Sequence, residues 1–200
     1  MKKFLILVFS LVFLIGLAAE ADCFYYGDDF STWAAAAPGY LVETFDSGVL
    51  NPGISVFSSS GFITGGSWYD ALKSDPPTYT KWSFSPGITA FGGFWSIIPS
   101  SQEWNGLDAL CFTKSGNSFL PLANMPINPS DGFWGVVFDG LENDPIISVW
   151  IVPGIQMTYP AQVEYYLDNM VYKPIPLPGT LWFFGAGLIS LAGLRKYIIR

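Results

Sequence analysis
The chain has 200 residues, a formal net charge of −7 and no histidine. The missing histidine excludes Ser-His-Asp and Cys-His catalysis and any zinc site that needs imidazole. The acidic balance argues against nucleic-acid binding, which needs a basic footprint.

Met1-Lys2-Lys3 is a short basic region, Phe4 to Leu17 is almost wholly apolar, and Ala19-Glu20-Ala21 offers small residues at a cleavage site. That order predicts a secretory signal peptide over residues 1–21, with a mature chain starting at Asp22. Cys23 raises the question of lipidation, but Asp22 stands where lipoprotein processing wants a small residue.

Residues 22–172 form one domain of ordinary size. This part carries three lysines, Lys73, Lys81 and Lys114, against fifteen carboxylates, a net charge near −12. Such a surface suits solubility or the attraction of cations, and disfavours docking on anionic lipid. Export places Cys23 and Cys111 in an oxidising space, which predicts a disulfide between them. It would close a loop of about 89 residues, worth roughly 4–5 kcal/mol by chain entropy.

No long stretch of the domain has a helical period, and short apolar runs recur between turn signals. The pattern predicts an all-β domain, a sandwich or barrel. Strands are expected at Tyr40–Phe45, Thr80–Phe84, Ile88–Ile98, Leu107–Thr113, Gly132–Phe138, Ile146–Val152 and Val163–Tyr172. Gly132–Phe138 and Ile146–Val152, apolar on both faces, are expected to be central. Gly92-Gly93 predicts a bulge or close packing. In the last strand, Val163, Tyr165, Leu167 and Val171 should share one face, with Glu164, Tyr166, Asp168 and Met170 opposite.

Candidate binding residues follow from residue type. Trp68, Tyr69 and Trp104 sit among small polar residues, so they are expected on loops or a rim and could stack on pyranose rings, whereas Trp82, Trp134 and Trp150 are expected in the core. Hard cations want several oxygens. Glu43, Asp46 and Asp168 are therefore the candidate ligands of a structural calcium ion, with Asn169 as a further donor and Asp28-Asp29 as another acidic pair. A glycosidase needs two carboxylates about 5–10 Å apart, and no pair stands out. No catalytic residue is assigned.

The tail opens with Pro174-Ile-Pro-Leu-Pro178, a Pro-rich motif over residues 173–178. An apolar run from Gly179 to Leu194 follows, then Arg195-Lys196. Sixteen residues of helix rise roughly 24 Å, short of a hydrocarbon core of about 30 Å. Snorkelling of Arg195 and Lys196 and the apolar Tyr197-Ile198-Ile199 extend the reach, so residues 179–200 are expected to form a transmembrane helix and basic tail. The basic end should stay cytoplasmic, with the domain outside.

Pro174, Pro176, Leu177, Pro178, Arg195 and Lys196 resemble the PEP-CTERM sorting signal, in a variant with a Pro-Leu-Pro core. The resemblance covers about the last 27 residues, and departs from the pattern in lacking Glu and in continuing as Tyr-Ile-Ile-Arg. It implies an exported protein of a Gram-negative bacterium, held in the inner membrane until an exosortase-type transpeptidase cuts near the Pro motif. The product would be released or attached to the cell surface. Glu43-Thr-Phe-Asp46, Ile88-Thr-Ala-Phe-Gly-Gly93, Gly132-Phe-Trp-Gly-Val-Val137, Pro145-Ile-Ile-Ser-Val149 and Tyr166-Leu-Asp-Asn-Met-Val-Tyr172 resemble a module often found before such tails. That resemblance implies a jelly-roll-like β-sandwich similar to carbohydrate-binding modules. The expected role is a non-enzymatic envelope or matrix protein with no cofactor beyond the calcium considered above. Its expected partners are the processing transpeptidase and the bilayer, and its alternative role is binding extracellular polysaccharide.

Overall fold
Branched and aromatic side chains crowd one another less on a pleated strand than on a helix. In the computed structural model, which describes residues 23–74, 76–99, 107–119, 132–153 and 162–175, they form eleven strands and one helix. In chain order these are β1 (Cys23–Gly27), α1 (Phe30–Ala36), β2 (Leu41–Glu43), β3 (Ile54–Phe57), β4 (Phe62–Thr64), β5 (Ser67–Lys73) and β6 (Thr80–Pro99). Then come β7 (Leu107–Thr113), β8 (Ser118–Phe119), β9 (Gly132–Phe138), β10 (Ile146–Pro153) and β11 (Gln162–Pro174). The domain is thus mostly β, as the residue pattern predicts. The expected signal peptide, Trp104 and the tail beyond Ile175 lie outside the described residues. Among those described, no helix is long and apolar enough to cross a membrane.

All the strand pairings are antiparallel, and β6 organises them. Its first part, Thr80–Phe84, lies between β3 and β10. Its later part lies between β9 and β11. The expected strands Thr80–Phe84 and Ile88–Ile98 are therefore one strand that passes between two layers at Ser85-Pro86-Gly87. Pro86 has no N–H to give the ladder, and Ser85 N donates instead to Gly53 O at 2.8 Å. The first layer runs β4-β5-β11-β6-β9-β1, with β2 beside the end of β11. The second runs β3-β6-β10-β7-β8. Both expected central strands, β9 and β10, have neighbours on each side.

The inner faces of the two layers share one core. Trp68 and Leu72 of β5, Tyr165 and Leu167 of β11 and Trp95 of β6 come from the first layer; Trp82, Val149, Ile151 and Cys111 come from the second. Trp68 meets Trp82 edge-on at 5.2 Å between ring centroids. Burying each such side chain stabilises by about 1.5–3 kcal/mol.

Helix α1 was not legible as a period because it has only seven residues. Tertiary contacts hold it. The Asp29 carboxylate caps it by accepting from Thr32 N at 2.9 Å and Ser31 Oγ at 2.8 Å. Trp33 lies across β9, its indole N–H donating to Val136 O at 3.1 Å. Gly135 makes the seat, since a Cβ there would come within 2.8 Å of the Trp33 ring nitrogen. Asp29→Ala should destabilise the domain by removing this N-cap. Thermal unfolding should register a drop of roughly 2–4 °C; an unchanged midpoint would show that Trp33 packing alone holds the helix.

Candidate functional site
Helix α1 and its flanks cover part of the outer face of the first layer. Trp33, Ala37, Ala90, Phe133 and Val171 form a second buried cluster there, bordered by Phe30, Tyr40 and Phe94. Beyond Phe94 the outer face of β4, β5 and β11 carries a row of aromatic side chains.

The row follows from register. Phe62 lies opposite Tyr69, Tyr69 opposite Tyr166, and Tyr166 opposite Ser96. The ring centroids are 5.2 Å apart for Phe62 and Tyr69 and 5.0 Å for Tyr69 and Tyr166. Directly opposed residues on one face are the closest neighbours a sheet provides. Phe62 is exposed, and the two tyrosines are part-buried.

A bulge shapes one side of this row. Asp168 pairs with Phe94 and Val171 with Gly92, so Asn169 and Met170 together face Gly93. Asn169 sits at φ +46, and a Cβ on Gly93 would lie 2.3 Å from Leu167 Cδ1. The expected close packing at the glycine pair is present. The expected face assignment holds only as far as Asp168. The extra residue turns Met170 into the main core and Val171 outward beneath α1, reversing the prediction for both. A cleft of about 390 Å³ opens beside the bulge, lined by Ser67, Phe94, Trp95, Ser96, Tyr166, Asp168 and Asn169.

The polar groups here are mostly neutral donors and carboxylate acceptors. Burial first, and then Glu164 through a hydrogen bond and its charge, raises the pKa of the Tyr69 hydroxyl above the ordinary tyrosine value. At neutral pH it stays protonated. Gln162 Nε2 donates to Glu164 Oε1 at 3.3 Å. Apolar ring faces flanked by hydroxyl, amide and carboxylate groups match a sugar, which offers C–H faces and hydroxyls.

The predicted site residues fall differently. Tyr69 is in the row. Trp68 is not: consecutive strand residues face opposite ways, and it is buried against Trp82. Trp104 lies outside the described residues. Trp82 and Trp134 are core residues as expected, but Trp150 is part-exposed on the outer face of the second layer. Phe62, Tyr166, Phe94, Ser96 and Ser67 were not singled out, and Asn169 was named only as an oxygen donor for calcium. The signal for Tyr166 and Asp168 was present in the polar face predicted for the last strand.

The carboxylates proposed for calcium do not gather. Glu43 points inward, with its oxygens accepting from Phe45 N at 2.9 Å and Asn51 N at 2.5 Å, while Asp168 is exposed on the outer face. Asp29 of the other acidic pair is spent on the helix cap. Among the described residues no group of three His, Cys, Asp or Glu side chains could hold a metal ion. The predicted disulfide is also not formed in this structure. Cys23 is an exposed free thiol on an edge strand and Cys111 a buried one in the core. Burial, and secondarily Cys23, pushes the Cys111 thiol far up.

No family model and no curated protein matches this chain. Among solved structures it is similar to two point variants of a family 29 carbohydrate-binding module, at TM-scores of 0.46 and 0.42 with 12% and 14% identity. Each match covers 66% of this chain, and 90% and 89% of the respective module. It is also similar to a family 29 carbohydrate-binding module from Piromyces equi, at a TM-score of 0.41 and 8% identity over 76% of this chain and 90% of that one.

Proposed function
We propose that this domain is a non-catalytic, jelly-roll-like β-sandwich that binds a neutral polysaccharide on the outer face of its first layer. The observation that supports this is the Phe62–Tyr69–Tyr166 row beside the cleft of Ser96, Asp168 and Asn169. The row, rather than the distant likeness to family 29 modules, carries the reading. Glu164 and Asp168 beside it disfavour anionic glycans. Being four residues apart on one strand, they are separated by about 13 Å, too far for the paired carboxylates of a glycosidase. Retention of the full chain in detergent on insoluble glucan and mannan tests the proposal. No retention on any neutral polysaccharide would remove it.

The tail supports a second element of the proposal. The chain would be exported, anchored briefly in the inner membrane and sorted to the surface by its PEP-CTERM-like signal. Pro174 ends β11, opposite Ile88, and Ile175 N donates to Gly87 O at 3.0 Å, so the motif begins where the sheet stops. Mass spectrometry of the mature protein from its own cells should find a start at Asp22 and an end near Pro178. An intact Arg200 terminus would mean a permanent anchor.

A further inference from the structure
The outer face of the second layer carries its own aromatic cluster, which the first-layer site does not use. Phe57 of β3 lies opposite Lys81 of β6, and Lys81 opposite Trp150 of β10. Tyr79 stacks on Trp150 at 4.6 Å with planes 9° apart, and Phe57 lies 5.9 Å from Tyr79. Phe112 of β7 closes the other side, 5.0 Å from Trp150. Phe57 is 60% exposed, far more than a sandwich needs for packing. The Lys81 ammonium stands 5.5 Å from the centre of the Trp150 ring.

Charge distinguishes this face from the first. In a domain with fifteen carboxylates and three lysines, no Asp or Glu stands on β3, on Thr80–Phe84 or on β10. Asp108 of β7 is buried. Glu164 and Asp168 lie on the opposite layer, part-exposed and exposed, where water and salt screen them.

We propose that this face is a second glycan-binding site, for a polysaccharide bearing carboxylates. Phe57 and Tyr79 supply the stacking surface, Trp150 supports Tyr79 from below, and Lys81 meets a uronate group. One domain then holds a neutral chain on one face and an anionic chain on the other, and bridges them.

The test is binding of the full chain in detergent to polygalacturonate and to a neutral glucan at physiological salt. Phe57→Ala should weaken polygalacturonate binding at least tenfold, and Lys81→Gln several-fold. Neither should alter glucan binding or the melting temperature. Tyr69→Ala with Tyr166→Ala should do the reverse. A wild-type chain that ignores polygalacturonate would overturn the proposal, as would a Phe57 variant that binds it normally. If polygalacturonate binds through Phe57 and Lys81 while no neutral glycan binds, the second face stands and the first-layer reading fails.

Discussion
Replacing Tyr69 and Tyr166 together by alanine should remove most of the affinity for neutral polysaccharide and leave the fold intact. In the proposed site each ring is a central aromatic contact, of the kind worth about 2 kcal/mol or more when truncated. At 1.4 kcal/mol per decade that is roughly 30-fold apiece. The rings are 5.0 Å apart and act on one ligand, so their effects should not simply add. A combined loss above ~30-fold is expected, read by affinity electrophoresis or calorimetry. Both side chains lie on the outer face, so the melting temperature should move little. A double variant that binds as the wild type would sink the site.

The largest stability effect should come from Asp70→Ala. Asp70 is a fully buried carboxylate on β5, pointing into the core between the layers. Its Oδ1 accepts from Ser60 Oγ at 2.7 Å and from Ala71 N at 2.8 Å, and its Oδ2 accepts from the Thr80 hydroxyl. The Tyr165 hydroxyl donates in turn to Thr80 Oγ1 at 2.6 Å. The chain of bonds ties β5, β6, β11 and the loop before β4. Hydrogen bonds to a charged group contribute about 1.5–3 kcal/mol each, and donors left buried without an acceptor add a penalty. Relief of the carboxylate's own desolvation offsets part of this. A net loss of about 3–5 kcal/mol is expected. For a domain this size that is roughly 10–15 °C in melting temperature. Tyr165→Phe, which removes only the outer link, should cost about 1 kcal/mol. An Asp70 variant as stable as the Tyr165 variant would mean the carboxylate is not the centre of the network.

The same network has a pH signature. Burial first, and then Asp70, pushes the Tyr165 hydroxyl far above its ordinary value of 10.0. A raised folded value means the stabilisation is complete below the unfolded value and is lost as pH rises beyond it. Stability from this group should hold from neutrality to about pH 10 and fall above it. The fall should shrink in Tyr165→Phe.

The strand content was legible because side chains that suit a pleated surface recur between turn residues. Leu107–Thr113 and Gly132–Phe138 appear with the predicted bounds. The short strands β3 and β4 were not legible, because three or four residues carry too little pattern and are set by their partners β6 and β5. Helix α1 escaped for the same reason: its stability lies in one capping carboxylate and one tryptophan seated on a glycine. At the candidate site, Trp68 and Tyr69 read as loop residues from their polar surroundings, but they lie side by side on β5, Tyr69 part-exposed and Trp68 buried. Nothing in the local composition says which of two adjacent aromatics faces the core.

The chemical bounds were readable from residue types alone: no histidine chemistry, an acidic domain and a mainly β fold. Composition and side-chain shape decide these, and they do not depend on how strands are ordered. The candidate site could not be read that way. Strand register aligned Phe62, Tyr69 and Tyr166 from segments about 100 residues apart, and one bulge opposite Gly93 reversed the faces beyond Asp168. A side chain's face depends on a count of residues modulo two, so a single extra residue reassigns everything after it. Pairing across the sheet, a non-local choice, sets where that count begins.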